Sequence, residues 1–285
     1  MNPFNHSALC ELADWFPVQV AHEIEGARRE GHQFRETTWT DRFMLELRRL
    51  RDPRILVKTS HEVVTGADMD WWFVASDGSR HLRLTVQAKI LHYMARDSDL
   101  WAYPELRHPH GAQGRQARQL IRHARSEQKA GRATYPLYLF YNPSSASRPW
   151  PLFDQSAGIT LADGFWVAAH LEAHRSGPSI PIVPTRYGHL RDQMFGLPMV
   201  FCRSMDMPGP DDVAEAINDA NDVVWLGRDG RKRPRTRPLP GDGTPNHIWS
   251  LVQKMKHGDI DRGEDVGHDK EGLWPRNTVV FVASE

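Results

Sequence analysis

Two short strings in this chain carry residue types that can do chemistry together. GADMD occupies positions 66–70 and QAK occupies 87–89, and each lies at the edge of, or within, an apolar run. An acid on one strand and a polar-x-Lys triplet on the next can hold a divalent metal beside an ammonium that acts on water. This combination of groups hydrolyses phosphodiester bonds, so these few residues carry the functional argument.

The segments around the two strings predict a β-hairpin. An aromatic run at 71–74 reads as a strand, Asp77-Gly78 is a strong two-residue turn signal, and 82–91 reads as the partner strand. The alternation of side chains along a strand places Asp68 and Asp70 on one face, and likewise Gln87 and Lys89. Pairing of the two strands would bring all four groups into one layer.

Each of the four side chains has a chemical role in this prediction. Asp68 binds the metal, with Asp70 as a second candidate for the same acid, and Gln87 offers an amide oxygen as a weaker ligand. Lys89 positions or deprotonates the water, or stabilises the charged phosphate. The structural alternative is that the acids only cap a turn and the lysine is an edge charge.

The rest of the chain predicts an α/β protein with a mixed sheet flanked by helices. Helical spacing appears at 7–31, from Thr40 onward with Thr40-Asp41 as a cap, and at 113–129, 161–174, 211–221 and 246–256. Further strands are expected at 55–57, 137–141, 180–183, 222–226 and 277–283. We predict a core at 1–204 and a C-terminal extension at 205–285.

Composition limits the classes of partner and compartment. Lys and Arg balance Asp and Glu at 36 each, so any attraction to phosphate must be local. The two cysteines, Cys10 and Cys202, form no CxxC motif, and we expect neither a disulfide framework nor a cysteine zinc site. Without a signal-peptide pattern or a long apolar run, a cytoplasmic location with no membrane contact is expected.

With the order helix, strand, strand, helix, strand, the GAD…QAK pattern resembles the PD-(D/E)XK nuclease superfamily, which has the restriction-endonuclease-like fold. It is especially similar to methylation-dependent type IV restriction enzymes and related defence-associated nucleases, which often carry Gln before the Lys. The resemblance covers residues 30–185. It implies Asp68, Gln87 and Lys89 as the metal and water centre, with Mg²⁺ (or Mn²⁺) as cofactor, and a role in defence against foreign DNA.

The same resemblance implies a further Glu from the first core helix. Glu36 fits by position, Glu46 is a rival within the helix, and Glu62 could reach the site from the preceding strand. Nucleases of this type often act as homodimers, since two DNA strands need two sites.

Candidate nucleic-acid contacts lie outside the two strings. Gln116 opens the helix after QAK and either faces the cleft or is ordinary helix surface. A basic run in a Pro/Gly-containing loop either contacts phosphate or is a solvated loop; its members are Arg228, Arg231, Lys232, Arg233, Arg235 and Arg237.

The sequence thus favours a metal-dependent endonuclease acting on DNA, although the residues do not separate DNA from RNA. The principal alternative is a catalytically inactive module of the same fold that binds nucleic acid or protein. A third class is a metal-free glycoside hydrolase with paired carboxylates.

Overall fold

The computed structural model describes residues 7–59, 67–94, 100–107, 116–146, 158–173, 185–225, 236–258 and 277–284. Its centre is an eight-stranded sheet in the order β1-β10-β2-β3-β6-β7-β8, with β9 paired to the start of β3. The strands are β1 (Ile55–Thr59), β2 (Met69–Val74), β3 (Arg80–Ile90), β6 (Thr134–Tyr141), β7 (Ile159–Asp163), β8 (Phe195–Gly196), β9 (Gly241–Asp242) and β10 (Asn277–Val282). A separate two-stranded sheet pairs β4 (His92–Met94) with β5 (Leu100–Ala102).

The sheet is mixed, and helices cover both of its faces. The helices are α1 (Ala8–Arg29), α2 (Glu36–Arg49), α3 (Gln116–Lys129), α4 (Gly164–Ala173), α5 (Tyr187–Leu190), α6 (Pro198–Phe201), α7 (Pro210–Trp225) and α8 (Asn246–His257). β10 runs parallel to β2 and β6 runs parallel to β3, while β2 and β3 are antiparallel. The expected α/β class, a mixed sheet flanked by helices, is confirmed.

The two faces of the sheet are packed differently. On one face, α1, α2, α6 and α7 share a single apolar cluster with residues such as Trp71 and Leu84. On the other face the apolar side chains form two clusters, one with α3 and α4 around Tyr138 and one with α8 around Trp72. The polar residues of β3 project to this second face.

The predicted hairpin is confirmed, with β2 and β3 paired from Met69↔Val86 to Val74↔His81. Gly78 takes a positive φ of 74° at the turn, a conformation that suits glycine. The side chain of Asp77 accepts a hydrogen bond from the backbone N–H of Ser79 at 2.8 Å. The expected helices at 246–256 and 113–129 correspond to α8 and α3, and the expected strand at 277–283 to β10.

Three local predictions were wrong in type or boundary. The helix expected at 161–174 is preceded by a strand: β7 pairs with β6, and the Asp163 carboxylate accepts the Phe165 N–H at 2.7 Å, so the helix begins at Gly164. Thr40 does not cap α2; the helix begins at Glu36, and the Thr40 hydroxyl donates to the Glu36 carbonyl. The strand expected at 222–226 instead continues α7 through residue 225.

The expected extension at 205–285 contributes α7, α8 and β10 to the structure. β10 lies within the sheet, hydrogen-bonded to β1 on one side and β2 on the other. Its residues Val279 and Phe281 are buried in the same apolar cluster as α1 and α2. The strand expected at 180–183 lies outside the described residues.

The sequence was expected to have no disulfide framework, but the structure contains one disulfide. Cys10 in α1 and Cys202, directly after α6, form a disulfide across 192 residues of sequence. Sequence spacing gave no hint of this bond, because α1 and α6 meet only once both pack on the same face of the sheet. Of the described helices, none is both long and apolar enough to cross a bilayer.

We expect reduction of this disulfide to lower the free energy of unfolding by about 5 kcal/mol, because the bridge closes a very long loop in the unfolded chain. Urea unfolding with and without a thiol reductant measures the effect. A Cys10→Ser/Cys202→Ser variant should be insensitive to reductant, and an unchanged midpoint in the wild type would contradict the prediction.

Candidate functional site

Asp68 lies where the β2–β3 hairpin ends, and its backbone N–H continues the ladder to the Val86 carbonyl at 2.9 Å. Its carboxylate Oδ2 accepts a hydrogen bond from the backbone N–H of Ala88 at 2.8 Å. The Gln87 side-chain amide donates to the same oxygen. Asp68 is half-buried, whereas Gln87 is fully buried. Asp68 and Gln87, two members of the expected site, therefore meet as the sequence predicts.

Lys89 is two residues farther along β3 and is also buried. Its ammonium donates to both carboxylate oxygens of Glu36, each at 3.1 Å. Glu36 is the first residue of α2, whose later turns pack on the opposite face of the sheet, so it meets Lys89 at the end of the sheet. Of the two described acids considered for this role, Glu36 contacts Lys89 and Glu46 pairs with Arg49 instead.

Charged groups of both signs act on Glu36. Burial raises the pKa of Glu36; the Lys89 ammonium opposes this rise, and the charges of Asp68 and Glu105 add to it. Burial also raises the pKa of Tyr138 and Tyr141 above the usual range, and the charges of Asp68 and Glu36 contribute to both shifts. The charges of Asp68, directly before β2, and of Glu36 in α2 therefore act on the same two tyrosines.

Glu105 is a further acid whose charge acts on Glu36, and sequence reasoning did not consider it. It lies in a 3₁₀ turn, Pro104–Arg107, that follows β5, and its side chain is exposed. Its charge acts on Glu36 and on His92, the first residue of β4; burial lowers the pKa of His92 and Glu105 opposes this shift. A short irregular turn has no sequence periodicity from which its place in the fold can be predicted. The only signal for Glu105 in the sequence is that it is an acid.

Asp70 lies in a different environment from Asp68. It is fully buried, and its Oδ2 accepts from Arg83 Nε at 2.8 Å and from Arg83 Nη2. Arg83 also donates to Glu127 of α3 at 2.9 Å, and its guanidinium lies 5.1 Å from the Trp72 ring centroid. Burial raises the pKa of Asp70, and the Arg83 guanidinium opposes this rise. This geometry favours Asp68 over Asp70 as the acid beside Lys89.

The remaining candidates are scattered. Glu46 is buried in α2 and pairs with Arg49 at 2.7 Å. Gln116 is the first residue of α3 and is half-buried. Arg237 is exposed, with a guanidinium nitrogen 3.8 Å from the Asp222 carboxylate. Gly66, Glu62, Arg228, Arg231, Lys232, Arg233 and Arg235 lie outside the described residues.

The described site has features that suit a divalent cation. The charged groups that act most strongly on Glu36 are one cation, Lys89, and two further acids, Asp68 and Glu105. In addition, Gln87 Oε1 is buried with no hydrogen-bond partner among the described residues. Carboxylate and amide oxygens are ligands that Mg²⁺ accepts, so Asp68, Glu36 and Gln87 are the candidate ligands.

A second group of potential ligands lies elsewhere. Among the described residues, Cys10, Asp14 and Cys202 are the group of three or more His, Cys, Asp or Glu whose ligand atoms lie within 4.8 Å of one another. Because Cys10 and Cys202 are joined as a disulfide, their sulfurs are not thiolates, the form that binds metal. Soft thiolates would in any case not select Mg²⁺.

We expect Asp70→Ala to destabilise the fold by about 3 kcal/mol, because it leaves the Arg83 guanidinium buried beside one remaining acid. Asp14→Ala, at an exposed position of α1, is the control and should change the free energy of unfolding by no more than about 0.5 kcal/mol. Urea unfolding measures both. A loss below about 1 kcal/mol for Asp70→Ala would argue against a structural role.

His123 of α3 should make the fold sensitive to acid. Burial, followed by the charges of Arg83 and Arg132, lowers its pKa to about 4, below the ordinary 6.5. Between these values the unfolded chain binds a proton that the folded chain does not, so stability falls as the pH drops from 6.5 toward 4.

Replacing the imidazole removes this dependence. His123→Leu should lose up to about 2 kcal/mol less stability than the wild type between pH 7 and pH 5. Urea unfolding at the two pH values gives the comparison. Equal losses in the two proteins would contradict the assignment of the effect to His123.

Comparison with known proteins yields one relationship. Searches of the curated proteins and of the solved structures found no match. A family model, described as a family of unknown function (DUF6615), matches residues 9–285. This match spans nearly the whole chain, including every residue of the candidate site. The chain therefore belongs to the DUF6615 family.

Proposed function

We propose that this protein is a metal-dependent nuclease that hydrolyses DNA phosphodiester bonds with Mg²⁺, built on a restriction-endonuclease-like core. The observation that supports this best is the contact of Lys89 with both oxygens of Glu36, two residues from the contact of Gln87 with Asp68. Asp68, Gln87, Lys89 and Glu36, the four residues that the sequence suggests for metal-dependent hydrolysis, thus form two neighbouring contacts at one end of the sheet.

In this proposal the metal is held by Asp68, Glu36 and Gln87. When bound, it neutralises phosphate charge and lowers the pKa of a coordinated water. The Asp68 carboxylate is oriented for this role by the Ala88 N–H at 2.8 Å, which fixes Oδ2. The buried amide of Gln87 can present either its oxygen or its nitrogen to Asp68, since rotation about the last side-chain bond exchanges the two ends.

Lys89 supplies the fixed positive charge of the proposed site. Its Nζ has three donors, and a phosphoryl oxygen would compete for them with the Glu36 carboxylate. The ammonium would orient the attacking water or stabilise the negative charge that develops on the phosphoryl oxygens. Burial strengthens this interaction, because a low-dielectric environment screens charge less than water does.

The biological setting is also a proposal. The similarity of the GAD…QAK pattern to defence-associated nucleases supports a role against foreign DNA in the cytoplasm, with two copies acting on the two strands. The Cys10–Cys202 disulfide is unusual for a cytoplasmic protein, since reducing compartments keep most thiols unpaired.

Lys89→Ala should reduce plasmid cleavage in Mg²⁺ or Mn²⁺ by at least about 100-fold, because the site loses its cation while keeping its acids. Lys254→Ala, at an exposed position of α8, is the matched control and should cleave like the wild type. Gel analysis of supercoiled plasmid measures the rates.

Asp68→Asn should be as inactive as Lys89→Ala in the same assay. Full cleavage by the Lys89→Ala variant would refute the role of Lys89. Wild-type protein that binds DNA but cleaves none under either metal would support the alternative, an inactive scaffold. The observation that favours this alternative is that the QAK triplet contains no acid.

A further inference from the structure

A row of basic side chains follows one face of α3. Arg118, Arg122, Arg125 and Lys129 are spaced by four, three and four residues, and all four are exposed. This spacing keeps side chains on the same side of a helix. At a rise of 1.5 Å per residue the row is about 16 Å long. We call these four residues the α3 basic row.

The orientation of α3 relates this row to the candidate site. Near its C-terminal end, Glu127 contacts Arg83 at 2.9 Å, and the Gln128 amide donates to the carbonyl of Thr134, the first residue of β6. Arg83 pairs with Thr134 in the sheet, six residues before Lys89 on β3. The N-terminal end of α3 therefore points toward the end of the sheet that holds Gln87 and Lys89.

The acid of α3 and the basic row of α3 have different contacts. Glu127, the one acid in the α3 sequence, is directed toward Arg83 and Arg132. Arg118 pairs with Glu172 of α4 at 2.8 Å, with both side chains close to half exposed. The Arg125 guanidinium lies 5.8 Å from the ring centroid of Phe165. All four cations of the row are exposed to solvent, in a chain whose net charge is zero.

We propose that the α3 basic row binds the phosphate backbone of duplex DNA and guides it toward the Asp68–Lys89 site. This inference rests on the proposed nuclease function and adds the surface that holds the substrate. Charge complementarity supports DNA as the occupant: a duplex carries charges along its whole length, and a row about 16 Å long matches several consecutive phosphates. Contacts of this type are independent of base sequence.

The test measures binding separately from cleavage. Fluorescence anisotropy with a fluorescein-labelled DNA duplex in EDTA, over a series of salt concentrations, compares the wild type with Arg122→Ala/Lys129→Ala. The matched control is Arg48→Ala/Lys254→Ala, which removes two exposed basic residues from α2 and α8. Circular dichroism confirms that each variant is folded.

We expect the α3 variant to bind at least about 10-fold more weakly and its salt-dependence slope to fall by about 2, since each phosphate contact contributes about 0.9. The control should match the wild type. An equal affinity and slope for the α3 variant, equal effects in the control, or binding to an RNA duplex alone would each overturn the proposal.

The two proposals fail in different ways. If the wild type cleaves plasmid and Lys89→Ala does not, but the α3 variant binds DNA normally, the nuclease function stands and the DNA surface lies elsewhere. If the α3 variant loses binding while the wild type cleaves nothing, the surface is supported and catalysis is refuted.

Discussion

Burial of polar side chains on one face of β3 is the constraint on which the rest of the structure depends. The strand is central, paired with β2 on one side and β6 on the other, and its alternate residues Arg83, Gln87 and Lys89 are all buried. Two of these are charged, and a charge removed from water is costly unless it is paired and hydrogen-bonded. The acids on neighbouring elements, Asp70 for Arg83 and Glu36 for Lys89, meet that requirement.

These pairs divide β3 into two regions with different consequences. Arg83 is enclosed by Asp70, Glu127 and the Trp72 ring, so its charge is satisfied by protein alone. At the other end, Lys89 pairs with a partly exposed acid, Glu36, on which the charges of Asp68 and Glu105 act. The oxygens of Glu36, Asp68 and Gln87 are the groups to which a cation would bind at this end, whereas the Arg83 network holds the sheet and α3 together.

Local patterns account for the parts of the structure that sequence reasoning predicted. Alternation and the Asp77-Gly78 turn predicted the hairpin, and the hairpin brings Asp68 to Gln87. Glu36 was selected by position in the chain, and it contacts Lys89 although it begins α2 rather than preceding it.

The features that were missed depend on contacts between distant parts of the chain. β10 enters the sheet between β1 and β2, and Cys10 meets Cys202, both across long separations that a single sequence does not encode visibly. Glu105, whose charge acts on Glu36, lies in an irregular turn. Asp70 and Asp68 looked equivalent by alternation, and only the position of Arg83 on the facing strand separates their roles.

The claim that Asp68, rather than Asp70 or the cysteine pair, holds a catalytic metal is central to this account. An anomalous difference map from crystals soaked in Mn²⁺ tests it most directly. The account predicts a peak at about 2.0–2.3 Å from the Asp68 carboxylate, in the typical range for a divalent cation and oxygen, within reach of Glu36 and Gln87. The absence of a peak there, or one beside Asp70 or Asp14 instead, would contradict the account.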